Sequence, residues 1–143
     1  MADYRLAEKM DCKVIYELIC SLEEEILNFE DFCSCYEINI KNDRIIYLVA
    51  VVNGVIEGFI SVHINLLLHH AGMIAEIQEL IVKSEYRGQK IGKELVKRAG
   101  EIAAKKGCKQ LEVCCNQRRE RTHRFYEDCG MKNSHYKFCM HLN

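Results

Sequence analysis

Residues 73–93 read Met-Ile-Ala-Glu-Ile-Gln-Glu-Leu-Ile-Val-Lys-Ser-Glu-Tyr-Arg-Gly-Gln-Lys-Ile-Gly-Lys, and this stretch decides the fold. Its first half, Met73 to Val82, is rich in aliphatic and β-branched residues and reads as a strand. The apolar positions do not alternate strictly, because Ile74, Ile77 and Leu80 follow one another three apart. A β-bulge reconciles that spacing with a strand. The second half, Glu85 to Lys93, joins the strand to a helix through Gly88 and Gly92, and such a turn lets backbone amides approach an anion at a helix N-terminus. Arg87, Lys90, Lys93 and Lys97 crowd that terminus, where the macrodipole disfavours each cation by roughly 0.3 to 1 kcal/mol. A bound anion would remove the conflict. The stretch has neither the Gly-Lys-Ser/Thr of a Walker loop nor a Gly-x-Gly-x-x-Gly fingerprint, which argues against nucleoside triphosphates and dinucleotides.

Working outward, Ile91, Leu95, Val96, Ala99, Ile102 and Ala103 form a 3.6-residue stripe over Ile91 to Lys106, ended by Gly107. Upstream, Ile45 to Val52 and Val55 to Ile64 read as strands around Asn53-Gly54, the strongest short hairpin signal. Leu66 to Gly72 reads as a loop. Residues 10–27 carry Val14, Ile15, Leu18, Ile19 and Leu22 on one helical stripe. A weaker helix is expected from Glu30 to Ile40, with Asn28 as its cap and Phe32, Cys35 and Tyr36 as its buried face. Downstream come a strand over Gln110 to Cys114, a helix over Glu120 to Cys129 closed by Gly130, and a final strand near His135 to Leu142. The expected fold is α/β in the α+β sense: two helices, then an antiparallel meander, in a mixed and mostly antiparallel central sheet flanked by helices. One domain over residues 1–143 accounts for the whole pattern.

Composition fits that reading. The chain has 143 residues, 49% hydrophobic and 29% charged, so disorder and coiled coil are poor descriptions. A net charge of −1 gives no electrostatic footprint for nucleic acid or a membrane surface. The opening Met1-Ala-Asp-Tyr-Arg is not a leader pattern, and the longest apolar run, Ile45 to Val52, is too short to span a bilayer, so a cytoplasmic protein is expected. Nine cysteines are an odd number without any Cys-x-x-Cys pair, which points to reduced thiols instead of disulfides or structural zinc. The chain has no proline, for which we have no functional account.

Two motifs carry a family resemblance. Arg87-Gly-Gln-Lys-Ile-Gly92 resembles the Arg/Gln-x-x-Gly-x-Gly/Ala pyrophosphate loop of the GNAT superfamily of acetyl-CoA-dependent N-acetyltransferases. Thr122-His-Arg-Phe-Tyr-Glu-Asp-Cys-Gly-Met131 resembles the helix whose aromatic pair sits beside the CoA sulfur in that family. The departure is Lys90, where most members have glycine; the amide is kept, provided the backbone there suits an L-residue. A narrower likeness to the aminoalkylphosphonate N-acetyltransferases runs through Tyr16-Glu-Leu-Ile-Cys20, Leu68-His-His70, Glu76-Ile-Gln-Glu-Leu80, His123-Arg-Phe-Tyr126, Ser134-His135 and Lys137-Phe138.

The resemblance implies acetyl-CoA as cosubstrate and a small-molecule amine as acceptor, with an aminoalkylphosphonate as one candidate. Other acceptors (a polyamine, an aminoglycoside-like amine, a peptide N-terminus) stay open, as does a non-catalytic CoA-binding module. It implies cofactor contacts at Leu80, Ile81, Val82, Arg87, Gly88, Gln89, Lys90, Ile91, Gly92, Lys93, Asn116 and Tyr126. Tyr126 is the expected general acid toward the CoA sulfur, since a phenol keeps its proton at pH 7. Glu79, between apolar neighbours on the bulged strand, is the first candidate for the general base, with Glu76 as acceptor ligand or alternate base. His70 and Ser134 complete the expected acceptor contacts. His63, His69 and His70 gather near one another, and a divalent metal, a phosphonate-like anion or no ligand at all are the readings; no clear ligand set supports the metal. Arg118, Arg119 and Arg121 read as a solvated helix start or as contacts to the CoA ribose phosphate. A homodimer is compatible with the sequence.

Overall fold

The structure, a computed structural model, describes residues 1–88 and 90–142. Its strands are Ala2–Leu6 (β1), Ile45–Val52 (β2), Val55–Leu67 (β3), Gly72–Val82 (β4) and Leu111–Val113 (β5). They form one sheet in the order β1-β2-β3-β4-β5, antiparallel except for the parallel β4/β5 pair. The helices are Cys12–Glu23 (α1), Phe29–Asn39 (α2), Ile91–Lys105 (α3) and Glu120–Asp128 (α4).

Local chemistry explains most of these boundaries. Asn53 and Gly54 both have positive φ, 50° and 80°, the type I′ geometry that matches strand twist and closes the Val52–Val55 pair. The Asn28 side chain accepts the Asp31 N–H at 2.9 Å and starts α2. Gly107, at φ 99°, follows α3.

The sheet is covered on both faces. Ile46, Leu48, Ile60, Val62, Ala75 and Ile77 pack with Leu95 and Ala99 of α3 and Tyr126 of α4. Val49, Phe59 and Ile81 pack on the other face with Ile15, Leu18 and Ile19 of α1 and Tyr36 of α2. Each large apolar side chain buried this way stabilises the fold by roughly 1.5–3 kcal/mol. Gly58 lets α3 lie close to the sheet, since a Cβ there would stand 3.3 Å from Leu95 Cδ1.

Several expectations need correction. The chain starts with a strand, not with two helices: β1 pairs along the outer edge of β2, and its five residues, Ala-Asp-Tyr-Arg-Leu, are too short and too polar to declare a period. The second strand of the hairpin runs past Ile64 to Leu67, and a short 3-10 turn, Leu68–His70, replaces most of the expected loop. α1 stops at Glu23 because Glu24 takes a left-handed conformation. Val14 and Cys35 are exposed, while Tyr36 supplies the buried anchor of α2. The final strand expected over His135 to Leu142 is absent, and no strand forms in residues 131–142. The period-two pattern is present there, but a strand needs a neighbour for its backbone groups, and this segment pairs with no strand among the described residues.

One half-buried ion pair ties β1 to the turn before α1. Arg5 donates to both Asp11 oxygens, at 2.7 and 3.1 Å, and Asp11 also accepts the Glu8 N–H at 2.7 Å. The Arg5 hydrogen bonds, opposed by burial and helped by the Glu8 amide, hold the Asp11 carboxyl below its ordinary value. Because the folded state keeps this carboxylate ionised, its contribution is complete above the unfolded value near 3.9 and is lost as pH falls through the lower folded value. Asp11→Asn should cost about 1–2 kcal/mol at neutral pH, Arg5 being partly exposed, and should flatten the acid loss of stability in urea midpoints measured below about pH 4.

A second prediction concerns the start of α3, where Lys90 is the N-cap at φ 65° and ψ 13°. That left-handed conformation favours glycine, and an L-residue loses on the order of 1 kcal/mol there. Lys90→Gly should therefore raise stability by up to about 1 kcal/mol, read as a higher urea midpoint with an unchanged slope. A lower midpoint would mean that the Lys90 side chain stabilises the loop by more than its conformation costs.

Candidate functional site

The β3/β4 register contains the feature on which the site turns. Val62 pairs with Ile77 but Ser61 pairs with Glu79, so Gln78 is an extra residue in β4. A strand without it would send Glu76 and Glu79 to opposite faces. With it, Glu76 opposite His63 and Glu79 opposite Ser61 lie on the same face, the one covered by α1 and α2. The bulge expected from the Ile74–Ile77–Leu80 spacing is thus present, and it gathers the two carboxylates.

Glu79 is held at both ends. Its N–H donates to Ser61 Oγ at 3.0 Å, and Ser61 Oγ–H donates back to Glu79 Oε1. Ser61 is fully buried, so its hydroxyl has no competing solvent partner. Tyr47 pairs with Ser61 from the other side and extends the same row. Its hydroxyl accepts the Asn39 amide N–H at 2.9 Å, and burial pushes its pKa up. Glu76 accepts from Gln78 Nε2 at 3.2 Å and from Cys114 Sγ at 3.3 Å. Glu112 of β5 is the register partner of Glu76, and His70 Nε2 stands 3.9 Å from Glu112 Oε2. The face therefore presents carboxylates with histidines at its edge, which suits a cationic group bearing an anionic tail.

The opposite requirement is met at the edge of β4. Pairing with β5 covers only Ala75 to Ile77, whereas β4 continues to Val82, so the two strands separate. Glu79 N–H points toward β3, and so does Lys83 N–H, which reaches Glu57 O at 2.9 Å. Strand alternation then turns the amides of Leu80 and Val82 to the open edge and that of Ile81 back toward β3. Arg87 Nε donates to Val82 O at 3.2 Å, bringing a guanidinium to the same edge. Glu57, the extra residue of a second bulge opposite Ala50 and Val51, is buried and lies 3.3 Å from Lys83 Nζ. That ion pair lacks hydrogen-bond alignment at Glu57 Oε2, yet it fixes the strand end from which the loop departs.

Beyond that end, Gly88 takes a positive φ of 85° and α3 begins at Ile91. Ile91 is buried in the core, leaving only its backbone for a ligand. Gly92 has a packing role as well: a Cβ there would lie 3.3 Å from Phe125 Cζ, so its bare backbone seats α4 against α3. Lys90, Lys93, Lys97 and Cys129 line a groove of about 390 Å³ between these helices. Gln89 lies outside the described residues. Free strand amides leading to a turn rich in cations fit an extended ligand with amides along its length and phosphates at one end.

Tyr126 of α4 belongs to the core on the α3 face of the sheet, 9% exposed, with no hydrogen bond to its hydroxyl among the described residues. Burial, then the neighbouring Cys115 and Cys129, push its pKa up to about 12, with Arg119 opposing. It is fully protonated at neutral pH. Asn116 is exposed and works in the turn before α4: its side chain accepts Arg118 N–H at 2.9 Å, and its carbonyl meets His123 Nε2 at 2.8 Å. Arg118, Arg119 and Arg121 are exposed. The Cys114 thiol is pushed up by burial and by Glu76, and Cys115 by burial, so both are protonated and poor nucleophiles at pH 7.

The structure brings Glu76, Glu79 and the Leu80–Val82 edge together, with His70 one contact further out. Ser134 is not brought in; it is exposed and bonds to His135 Nδ1 at 2.7 Å. No group of three or more His, Cys, Asp or Glu side chains among the described residues is arranged to hold a metal ion. Sequence reading missed Ser61, Tyr47 and Asn39. The one signal for Ser61 was a small polar residue inside an apolar strand.

Comparison with known proteins matches residues 10–131 to the Acetyltransferase (GNAT) family. The chain is 38% identical over 138 residues to the aminoalkylphosphonate N-acetyltransferase of Salmonella typhimurium, covering 96% of this chain and 90% of that one. The crystal structure of a transcriptional regulator from Bacillus halodurans superposes with a TM-score of 0.90 at 25% identity, covering 99% and 100% of the two chains. Glucosamine-6-phosphate N-acetyltransferase from Arabidopsis thaliana shares the fold, with a TM-score of 0.83 at 24% identity over 100% and 99%. A strand whose free amides lead into a cationic turn is what an acetyl-CoA-dependent enzyme requires, and with the match over residues 10–131 it identifies this chain as an N-acetyltransferase of the GNAT family.

Proposed function

We propose that this enzyme acetylates the primary amine of a small aminoalkylphosphonate by direct attack of the amine on acetyl-CoA. The observation that carries the reading is the extra residue Gln78. It turns Glu79 toward the α1/α2 face while leaving the Leu80 and Val82 amides free on the adjoining edge, so base and cosubstrate meet across one strand. The full-length likeness to the Salmonella relative supports the acceptor class.

Acetyl-CoA supplies the activated thioester. Leu80 and Val82 amides hold its extended arm, and Arg87, Lys90 and Lys93 neutralise its phosphates. Glu79 accepts the proton that the ammonium form of the acceptor must lose, directly or through a water, with Ser61 fixing one of its oxygens. Glu76 binds the acceptor nitrogen, and the His70 ring, at the edge of the same face, meets the anionic end by hydrogen bonding. Tyr126 donates toward the departing sulfur. A phenol near 12 is a weaker acid than a thiol near 8.5, so it stabilises the developing thiolate first by a hydrogen bond and completes the transfer only as solvent returns. No cysteine carries the acetyl group, in keeping with the raised Cys114 and Cys115 thiols.

Thiol release from acetyl-CoA with a panel of amines tests the acceptor. An aminoalkylphosphonate should turn over at least about tenfold more efficiently than the same alkylamine without the phosphonate; equal efficiencies would remove the phosphonate from the reading. Glu79→Gln should lower kcat by on the order of a hundredfold at about pH 7 and recover partly near pH 9.5, where the amine deprotonates unaided. Ser61→Ala should give a weaker version of the same profile, with about a tenfold loss that shrinks as pH rises. Losses independent of pH in both variants would make the pair structural. Tyr126→Phe keeps the packing and should slow the maximal rate by on the order of a hundredfold at unchanged acetyl-CoA affinity; a rate within about twofold of the natural enzyme would reduce Tyr126 to a core aromatic.

A further inference from the structure

α2 is held to the rest of the fold by few contacts. Tyr36 is its one buried side chain, fixed by a hydroxyl that donates to Glu8 O at 2.6 Å, and at its last residue Asn39 reaches the Tyr47 hydroxyl. Its first half carries a contact of another kind. Cys33 Sγ stands 3.5 Å from Sγ of Cys12, the first residue of α1. Both side chains are half-buried, and no other pair of thiols among the described residues is hydrogen-bonded. As a hydrogen bond this contact is weak, since a thiol is a poor donor and sulfur a poor acceptor. An apolar pair would fill the space equally well, so packing does not account for two cysteines there.

We infer that Cys12 and Cys33 form a reversible disulfide by exchange with small-molecule disulfides, fastening α2 to the start of α1 above the Glu76/Glu79 face.

The order of the two steps follows from the surroundings of each sulfur. Burial, then the Cys33 thiol and the charge of Glu37, push the Cys12 thiol up to about 12. Only a thiolate attacks a disulfide, so Cys12 does not react first. The Cys33 thiolate attacks one sulfur of RS–SR, forms Cys33–S–SR and expels RS⁻. That step removes the hydrogen bond and the charge by which Cys33 held the Cys12 proton. Cys12 stands at the N-terminus of α1, where the helix dipole favours an anion. It yields its proton to water, and its sulfur attacks Cys33 Sγ and expels the second RS⁻. The cysteine pair loses two electrons and two protons, and RS–SR gains both to become two RSH. From 3.5 Å the sulfurs must approach by about 1.5 Å to reach disulfide length, which side-chain rotation supplies. Cys35 is exposed and, two residues along α2, faces away from Cys33, so it does not compete for Cys12.

Incubating the full chain with oxidised glutathione at about pH 8, where thiols begin to ionise, and then alkylating the remaining thiols tests this. Peptide mapping should join tryptic residues 10–13 to residues 14–41 through Cys33, whatever glutathione adducts form at the exposed Cys35, Cys114 and Cys139. The melting temperature should rise by about 5–10 °C, as closing a loop of this length predicts. Amides of α2 should exchange on the order of tenfold more slowly. Dithiothreitol should reverse both changes. Cys12→Ser should show neither change and should carry glutathione on Cys33. Alkylated Cys12 and Cys33 after the treatment would overturn the inference, as would Cys12 joined to Cys20 or Cys35, or disulfides that form only between chains. So would an equal rise in melting temperature for Cys12→Ser. The mapping uses the natural sequence, so it decides the matter even if that variant does not fold.

Discussion

One surplus residue in β4 is the constraint on which the site depends. Gln78 shifts the register so that Ala75, Ile77, Leu80 and Val82 face α3 and its cluster, while Glu76, Glu79 and Ile81 face α1 and α2. Without that shift, either the apolar set or the acidic set would be on the wrong side of the sheet. A one-residue change of register exchanges the faces of every residue beyond it, and here the exchange happens in the middle of a strand. The cost is a local break in the ladder. Ser61 repairs it, since its hydroxyl takes the Glu79 N–H that would otherwise lack a backbone acceptor, and the same atom returns a hydrogen bond to the Glu79 carboxylate. The residue that mends the backbone is therefore also the residue that aims the carboxylate.

Polarity on the two sides of β4 follows from this geometry. The α1/α2 face offers Glu76, Glu79 and Glu112 to a cation, whereas the open edge and the turn after it offer amides, Arg87 and lysines to an anion. In the reaction proposed above, the positively charged amine and the phosphate-bearing cosubstrate are thus drawn to opposite sides of one strand. The buried phenol of Tyr126 and the protonated Cys115 and Cys129 add no charge where the sulfur would leave. The local contrast across β4 is invisible in a whole-chain sum of −1.

Sequence could be read where a local rule settles the outcome. Asn53-Gly54 demands a type I′ hairpin, the α3 stripe has a single helical solution, and the broken period at Ile77 could only be a bulge. It failed where the decision lies with a distant partner. β1 is five residues with no period of their own, and only the edge of β2 makes them a strand. Ser61 is one small polar residue in an apolar run until its register partner is known to be Glu79. Residues 135–142 fail in the reverse sense: the local pattern is that of a strand, yet the segment pairs with no strand among the described residues. Gly92 is readable as a motif glycine, but its packing role, with the Phe125 ring 3.3 Å from where a Cβ would stand, depends on α4 and is not legible locally.

The start of α3 breaks local rules in one consistent direction. Lys90 holds a left-handed conformation that glycine would occupy more cheaply. Lys93 stands in the first turn, where the helix dipole disfavours cations. Glu94, the only acid in the first turn, could offset them, but Arg98 Nε engages its carboxylate at 2.8 Å and removes most of that compensation. Nothing in the helix itself benefits from these choices, since the buried stripe of Ile91, Leu95, Val96 and Ala99 would form equally well above a neutral, acid-capped terminus. When neighbouring residues depart from local preference and all departures raise the same positive potential, the compensating charge must come from outside the chain. In the function proposed above that charge is a phosphate of acetyl-CoA, whose binding relieves the loop. Affinity for the cosubstrate and reduced stability of the free loop are then two readings of one arrangement of charge.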